Sequence, residues 1–186
     1  MAFPIVVPKW NEILDAFPLS EAIRAIRFLF FDFDGVFTNN KVMIDQNGFE
    51  MVSCSRSDGM GIALLHKIGM KMMVVSSETN PVVQARCEKL KIPCIYGCQG
   101  KLSVIKGILA SEGVPPEFVA FMGNDVNDIE CLDYVGLPIV VRDAHPTVIP
   151  HAKLFTDLCG GAGAVREICD LFLRVRSATP LLGPAK

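Results

Sequence analysis

Phe28-Leu29-Phe30-Phe31-Asp32-Phe33-Asp34-Gly35-Val36-Phe37-Thr38 is the stretch that decides how this chain folds. It opens with a continuous apolar run ending in a carboxylate, the pattern of a strand covered on both faces of a sheet. Asp32 and Asp34 then lie two residues apart. On an extended backbone such side chains point the same way, so their charges repel. A divalent cation relieves that repulsion, and hard oxygen donors with few nitrogens or thiols favour magnesium. A single Asp-x-Asp after a strand is ordinarily a turn or a helix cap. The rest of the chain decides between the two readings.

Outward from this run the chain alternates strand and helix patterns. Residues 42–44 and 49–54 flank Asn47-Gly48, a pair that tolerates positive φ and marks a hairpin. Residues 58–69 read as a helix with Ile62, Leu65 and Ile68 on one face, and 72–76 as a second buried strand. Asn80-Pro81 opens the next helix, with Asn as N-cap and Pro at the first helical position. Val83, Cys87 and Leu90 line its inner side. A short strand follows at 93–96, then a helix at 101–111 closed by Gly113. Residues 118–122 are a strand, 128–135 a helix ended by Gly136, and 137–141 a strand. A last short strand falls at 153–156, and 164–175 is a helix with Val165, Ile168 and Phe172 inward. This alternation with short links predicts an α/β fold: a doubly wound, Rossmann-like parallel sheet with right-handed crossovers and one protruding β-hairpin. Residues 1–27 read as an N-terminal helical extension, because Trp10, Ile13, Leu14 and Phe17 share one helix face. Residues 28–176 form the domain, and 177–186 a flexible tail without an element signal.

Ligands of such sheets bind beyond the carboxyl ends of the strands. Asp32 and Asp34 follow the first strand, and Ser76, Ser77 and Glu78 follow the second. Lys101 follows the 93–96 strand, and Gly123, Asn124, Asp125 and Asp128 follow 118–122. The opposite strand ends carry no comparable polar set. The lysine suits an anionic substrate oxygen, Ser76 donates to the same anion, and Gly35 and Gly123 leave backbone N–H groups accessible. These are the parts that phosphoryl transfer requires: a nucleophile, charge neutralisation, and donors for the equatorial oxygens. Each alone has a plainer role, as cap, solvated cation or loop. Their occurrence in order, each after a strand, points to a phosphate site.

Composition excludes several other classes. The 186 residues suit one domain with one core. A hydrophobic content of 51% with net charge −2 is unlike a disordered chain. A membrane helix needs about 20 mostly apolar residues in a row, and none occurs. No basic stripe exists to hold nucleic acid. The N-terminus lacks the basic start and long apolar stretch of a signal peptide. The cysteines at 54, 87, 94, 98, 131, 159 and 169 are odd in number and lie mostly in apolar segments, as reduced thiols of a cytoplasmic protein do. Cys94 and Cys98 are spaced like half a zinc site, with no second pair to complete it. The high apolar share is expected to divide between the core and a subunit interface.

At 32–38, 56–62, 76–81 and 123–128 the chain resembles the haloacid dehalogenase (HAD) superfamily of aspartyl-phosphate phosphatases, with all four motifs in order. Asp143-Ala144-His145-Pro146 and Gly160-Gly161-Ala162-Gly163-Ala164-Val165-Arg166-Glu167 look closest to its capless branch. That branch includes 3-deoxy-D-manno-octulosonate 8-phosphate phosphatases and the phosphatase-like modules of acylneuraminate cytidylyltransferases. The resemblance implies that Asp32 attacks phosphorus to form an aspartyl phosphate. Asp34 would protonate the leaving sugar oxygen and then take a proton from the hydrolytic water. Ser76 would hydrogen-bond the phosphoryl oxygens, and Lys101 would hold phosphate and nucleophile together. Magnesium would bind Asp32, the Asp34 carbonyl oxygen and the fourth motif. There the superfamily usually carries Asp where this chain has Asn124, a neutral ligand. Asp125 or Asp128 would supply the missing charge, directly or through water.

The intervals from Asp32 to Ser76 and from Ser76 to Lys101 hold only the hairpin and elements of the sheet, so no cap domain fits. In this branch a neighbouring subunit supplies the lid, usually within a homotetramer. The hairpin, apolar at Val42, Met43, Ile44, Phe49 and Met51, and residues 160–166 are the expected contacts. Octulosonate enzymes usually carry Arg at the positions of Ser57 and Glu78, whereas the nonulosonate members resemble Ser76-Ser77-Glu78. The resemblance therefore implies a phosphorylated 3-deoxy-ulosonic sugar acid as substrate, a sialic-acid-like nonulosonate 9-phosphate ahead of an octulosonate 8-phosphate. Ser77, Glu78, Asp58 and Gly59 are candidate substrate-binding residues. Arg86, Arg166 and Arg56 are candidates for its carboxylate, which a guanidinium grips bidentately. The rival expectation is a non-catalytic HAD-like oligomerisation or regulatory domain partnering an acylneuraminate cytidylyltransferase. Asn124 and the N-terminal extension favour it, and the intact nucleophile argues against it.

Overall fold

The Phe-rich run becomes β1 (Phe28–Phe31), and it lies in the middle of the sheet. The computed structural model describes residues 17–177. β1 pairs in parallel with β4 (Lys71–Val75) on one side and β6 (Val119–Gly123) on the other. The six-stranded order is β5 (Cys94–Ile95), β4, β1, β6, β7 (Leu137–Val140) and β8 (Leu154–Phe155), every pair parallel. Every residue of β1, β6 and β7 is buried, which explains their uninterrupted apolar sequences. Phe28 and Phe30 stack at 4.3 Å, and Phe37 packs edge-on against Phe31 at 5.4 Å.

α2 (Arg56–Lys67), α3 (Val82–Leu90) and α6 (Ala164–Ser177) pack together, with α1 (Phe17–Ala25) resting on α6. α4 (Lys101–Glu112) packs on α5 (Ile129–Tyr134). Right-handed crossovers put these two groups on opposite faces of the sheet. The expected α/β architecture is therefore present, with differences at element ends. Ser55 caps α2, its Oγ accepting the Ser57 N–H at 3.2 Å, so the helix starts earlier than expected. Ile68, expected on the inner face, is instead the C-cap and is 45% exposed, because the chain leaves the helix there. Asn80 Oδ1 accepts the Val82 N–H at 3.0 Å, the capping bond expected of it. Gly113 ends α4 at φ +61. The helix expected at 128–135 is a 3-10 turn, Val126–Asp128, followed by α5.

Ile23 and Ile26, which precede the boundary expected at residue 27, are buried in the common core. Trp10, Ile13 and Leu14, and the expected tail from residue 178 on, lie outside the described residues. All seven cysteines are unpaired, and Cys87, Cys131 and Cys169 fill the core. Among the described residues no helix is long and apolar enough to cross a membrane.

The hairpin stands apart as a two-stranded sheet of β2 (Thr38–Ile44) and β3 (Glu50–Cys54). Asp45 Oδ1 accepts the N–H groups of Asn47 and Phe49, and Gly48 takes φ +83, closing the turn. The register shifts between Thr38 and Val42, so β2 starts earlier than the sequence suggested. Val42, Met43, Ile44, Phe49 and Met51 are all more than half exposed, Phe49 by 71%.

Candidate active site

The carboxyl ends of β1, β4 and β6 share one rim, and the four polar segments expected there meet on it. Asp32 leaves β1, and its Oδ1 accepts the Lys101 Nζ at 2.8 Å. Lys101 is the first residue of α4, and Nζ also donates to Asp128 Oδ1 at 2.7 Å. All three side chains are at most 5% exposed. Two carboxyl groups thus share one lysine in a space nearly closed to solvent. Burial, and then the charge of Asp128, raise the Asp32 pKa above the ordinary carboxylate value, with Lys101 acting the other way. Burial opposes the Lys101 ammonium, but Asp32 and Asp128 outweigh it and hold its pKa above that of an ordinary lysine.

Two expected metal ligands are engaged elsewhere. Asp128 gives Oδ1 to Lys101 and Oδ2 to the N–H groups of Asn124 and Asp125, at 2.9 and 3.3 Å. Asp125 caps the 3-10 turn, its Oδ1 accepting the Val126 N–H at 2.7 Å. Asn124 differs: it is buried, and its Oδ1 has no partner among the described residues. Its side chain lies against Gly35, where an added Cβ would come within 1.9 Å of Asn124 Nδ2. Gly35 also takes φ +75, so glycine is required twice over. Among the described residues no three His, Cys, Asp or Glu side chains converge as a metal cluster. The groups here that could hold a cation are the Asp32 carboxylate and the orphaned Asn124 amide oxygen, with the Asp34 main-chain carbonyl as the third donor that the resemblance implies. Such a set is all oxygen, as a hard cation prefers.

Asp34 is half-buried, and burial, then the charge of Glu78, raise its pKa. Thr38 Oγ1 donates to its Oδ1 at 3.3 Å. Ser76 is buried at the end of β4, its Oγ accepting the Glu78 N–H at 3.2 Å. Glu78 Oε1 accepts the N–H groups of Thr79 and Asn80, both at 2.7 Å, which fixes its carboxylate beside the rim. Asn127 Nδ2 donates to Ser77 Oγ at 3.2 Å and ties that loop to the 124–128 loop.

Four candidate substrate residues are held by packing within the chain. Asp58 has no exposed surface, and its Oδ1 accepts the Arg166 N–H at 2.9 Å, joining α2 to the start of α6. Gly59 allows α3 to approach, since a Cβ there would meet Leu90 at 2.8 Å. Arg86 donates Nη2 to the Ser55 carbonyl at 2.7 Å. Arg166 Nε donates to Asp170 Oδ1 at 2.8 Å, beside a cavity of about 310 Å³ that Ser57, Gly163 and Arg174 also line. Arg56 is exposed on the first turn of α2.

The sequence reading missed the supports behind the rim. Gly160 and Gly161 press on the loop that carries Asp34, and a Cβ on Gly160 would come within 1.8 Å of the Gly35 carbonyl oxygen. Gly161 N–H donates to the Val36 carbonyl at 3.1 Å, and Asp143 Oδ1 accepts the Gly160 N–H at 2.9 Å. The adjacent glycines were the available signal, but spacing alone does not show what a glycine touches.

Comparison with known proteins agrees with this arrangement. The haloacid dehalogenase-like hydrolase family matches residues 99–166. The 3-deoxy-D-manno-octulosonate 8-phosphate phosphatase KdsC of Escherichia coli (strain B / BL21-DE3) is 36% identical over 161 residues, 84% of this chain and 86% of the relative. The structure of the octulosonate 8-phosphate phosphatase from Yersinia pestis matches with TM-score 0.81 and 32% identity, over 84% of this chain and 85% of that one. A Streptomyces avermitilis chain assigned to the HAD family of hydrolases matches with TM-score 0.78 and 45% identity, over 80% of this chain and 91% of that one. With motifs spread along the sequence gathered on one rim, and with relatives matched over most of its length, the chain belongs to the haloacid dehalogenase-like hydrolases.

Proposed function

We propose that the protein is a magnesium-dependent phosphatase that hydrolyses a phosphorylated 3-deoxy-ulosonic sugar acid through an aspartyl phosphate on Asp32. The observation that carries this reading is the buried Asp32–Lys101–Asp128 arrangement at the carboxyl end of β1. Lys101 aligns the Asp32 carboxylate and meets a phosphoryl oxygen. Ser76 has a hydroxyl proton to give the same group. Asp34 stands two residues on, with a raised pKa that suits a proton donor to the departing sugar oxygen. Bound beside Asp32 and Asn124, magnesium supplies positive charge against the phosphoryl oxygens. Asp128 holds Lys101 and the Asn124 backbone in place. The rival reading, a regulatory domain beside a cytidylyltransferase, gives no reason to keep an ammonium buried between two carboxylates.

The substrate class follows from relatives named as octulosonate 8-phosphate phosphatases. Within that class we favour a nonulosonate 9-phosphate. Glu78 puts a negative charge beside Asp34, which opposes a substrate carboxylate held close to the rim. A longer sugar acid carries its carboxylate farther from its phosphate. The exposed apolar hairpin supports a homo-oligomer, a tetramer by the branch resemblance, whose neighbouring subunit covers the open rim. Unpaired cysteines suit the cytoplasm.

The test is phosphate release from octulosonate 8-phosphate, a nonulosonate 9-phosphate and simple sugar phosphates, with and without magnesium. Turnover should need magnesium and vanish in Asp32→Asn. No turnover on any substrate refutes the enzyme reading, and activity surviving Asp32→Asn refutes the nucleophile. Equal or greater efficiency on octulosonate 8-phosphate reverses the substrate order.

A further inference from the structure

Thr38 is wholly buried between the loop that carries Asp34 and the root of the hairpin. Its hydroxyl oxygen accepts two backbone donors, the Gly35 N–H at 3.1 Å and the Asn40 N–H at 3.2 Å. A hydroxyl has two acceptor positions and one proton. With both acceptor positions used, the proton is left for Asp34 Oδ1, 3.3 Å away. The β-branched side chain limits χ1, so the hydroxyl has little freedom to turn from this arrangement. Asn40 adopts φ +58 where the hairpin register shifts, which swings its N–H back toward Thr38. The other side of the loop is closed by Gly160 and Gly161. Asp34 is thus held through one carboxyl oxygen, Oδ1, the side of the group that faces Thr38.

We propose that Thr38 is a positioning residue: its hydroxyl fixes the Asp34 carboxyl so that the second oxygen faces the leaving group, and ties that setting to the root of the hairpin. This rests on the phosphatase reading, in which Asp34 gives a proton to the departing sugar oxygen. Misorienting a proton donor slows only reactions that need the proton. An alkyl leaving oxygen needs it, whereas the oxygen of p-nitrophenol departs readily as an anion.

The experiment compares kcat and KM for Thr38→Val and Thr38→Ser on a sugar-acid phosphate and on p-nitrophenyl phosphate. Thr38→Val keeps the shape and loses the hydroxyl. It should lower kcat on the sugar phosphate on the order of tenfold to a hundredfold, with KM nearly unchanged. The loss on p-nitrophenyl phosphate should stay within about threefold. Thr38→Ser should restore most of the sugar-phosphate rate. In an Asp34→Asn background, Thr38→Val should cost nothing further on the sugar phosphate. Equal losses on both substrates, an undiminished rate, or a full further loss without the Asp34 carboxyl each overturns the proposal. If Thr38→Val does not fold, Thr38→Cys, with a weaker donor, takes its place under the same criteria. Wild-type protein that releases no phosphate from either substrate removes the functional reading itself. Wild-type turnover with unchanged leaving-group dependence in the variants removes only the role of Thr38.

Discussion

Replacing Asp58 by Asn should stabilise the protein at neutral pH and not in acid. The residue sits in the first turn of α2 with no exposed surface. Its Oδ1 accepts the Arg166 N–H at 2.9 Å, while Oδ2 has no partner among the described residues. Burial raises its pKa from 3.8 to about 6, against the Arg166 N–H and the charges of Arg86 and Arg166. Between those values the folded protein binds more protons than the unfolded chain. Stability therefore falls as pH rises through this window, and the full cost stands above about pH 6. A shift of about two units corresponds to about 3 kcal/mol. Asn keeps the acceptor for the Arg166 N–H and removes the charge, but its Nδ2 lies unpartnered, at a cost of about 1 kcal/mol. The net gain at pH 7.5 is then about 2 kcal/mol, turning to a loss of about 0.5 kcal/mol near pH 4. Urea unfolding of both proteins at the two pH values measures it. A variant no more stable than wild type at pH 7.5, or a difference that does not change with pH, refutes the argument from buried charge.

Lys101→Met leaves Asp32 and Asp128 buried without their shared cation, so stability should fall by about 3–5 kcal/mol, seen in thermal unfolding, and turnover should vanish. Gly160→Ala puts a methyl group against the Gly35 carbonyl. Steady-state kinetics should show at least about a tenfold loss of kcat as the Asp34 loop is displaced. Met43→Ser with Phe49→Ser removes two of the most exposed apolar groups on the hairpin. Sedimentation should show dissociation toward monomer, and unchanged assembly would refute the hairpin as an interface.

Much of the sheet was legible because its signals are local. A buried parallel strand reads as an unbroken apolar run, and Asn80 and Gly113 announce helix ends through chemistry confined to a few residues. The rim was legible because parallel strands bring all their carboxyl ends together. What each rim residue does there was less so. Asp128 matched a metal ligand by type, yet a lysine 27 residues earlier and the backbone of its own loop take both its oxygens. Asp58 and Arg86 matched a substrate-binding role by residue type, but the Arg166 N–H and the Ser55 carbonyl that hold them are distant in sequence, and the Arg166 guanidinium is held by Asp170 of its own helix. Ile68 and Ile23 differ in burial for a related reason. Periodicity gives a face, and only tertiary packing says where that face ends.

The central place of β1 has a consequence for how the chain must fold. Both of its neighbours follow it in sequence: β4 begins at Lys71 and β6 at Val119. As synthesis proceeds, Phe28, Leu29, Phe30 and Phe31 emerge with two open edges, while the hairpin, paired within itself, offers them neither. Such a segment is prone to pair with other chains until its own partners arrive. The strand that supplies the nucleophile is thus made before both of its neighbours and stays open on one edge until β6 emerges, and any fragment ending before β6 carries that uncovered aromatic edge.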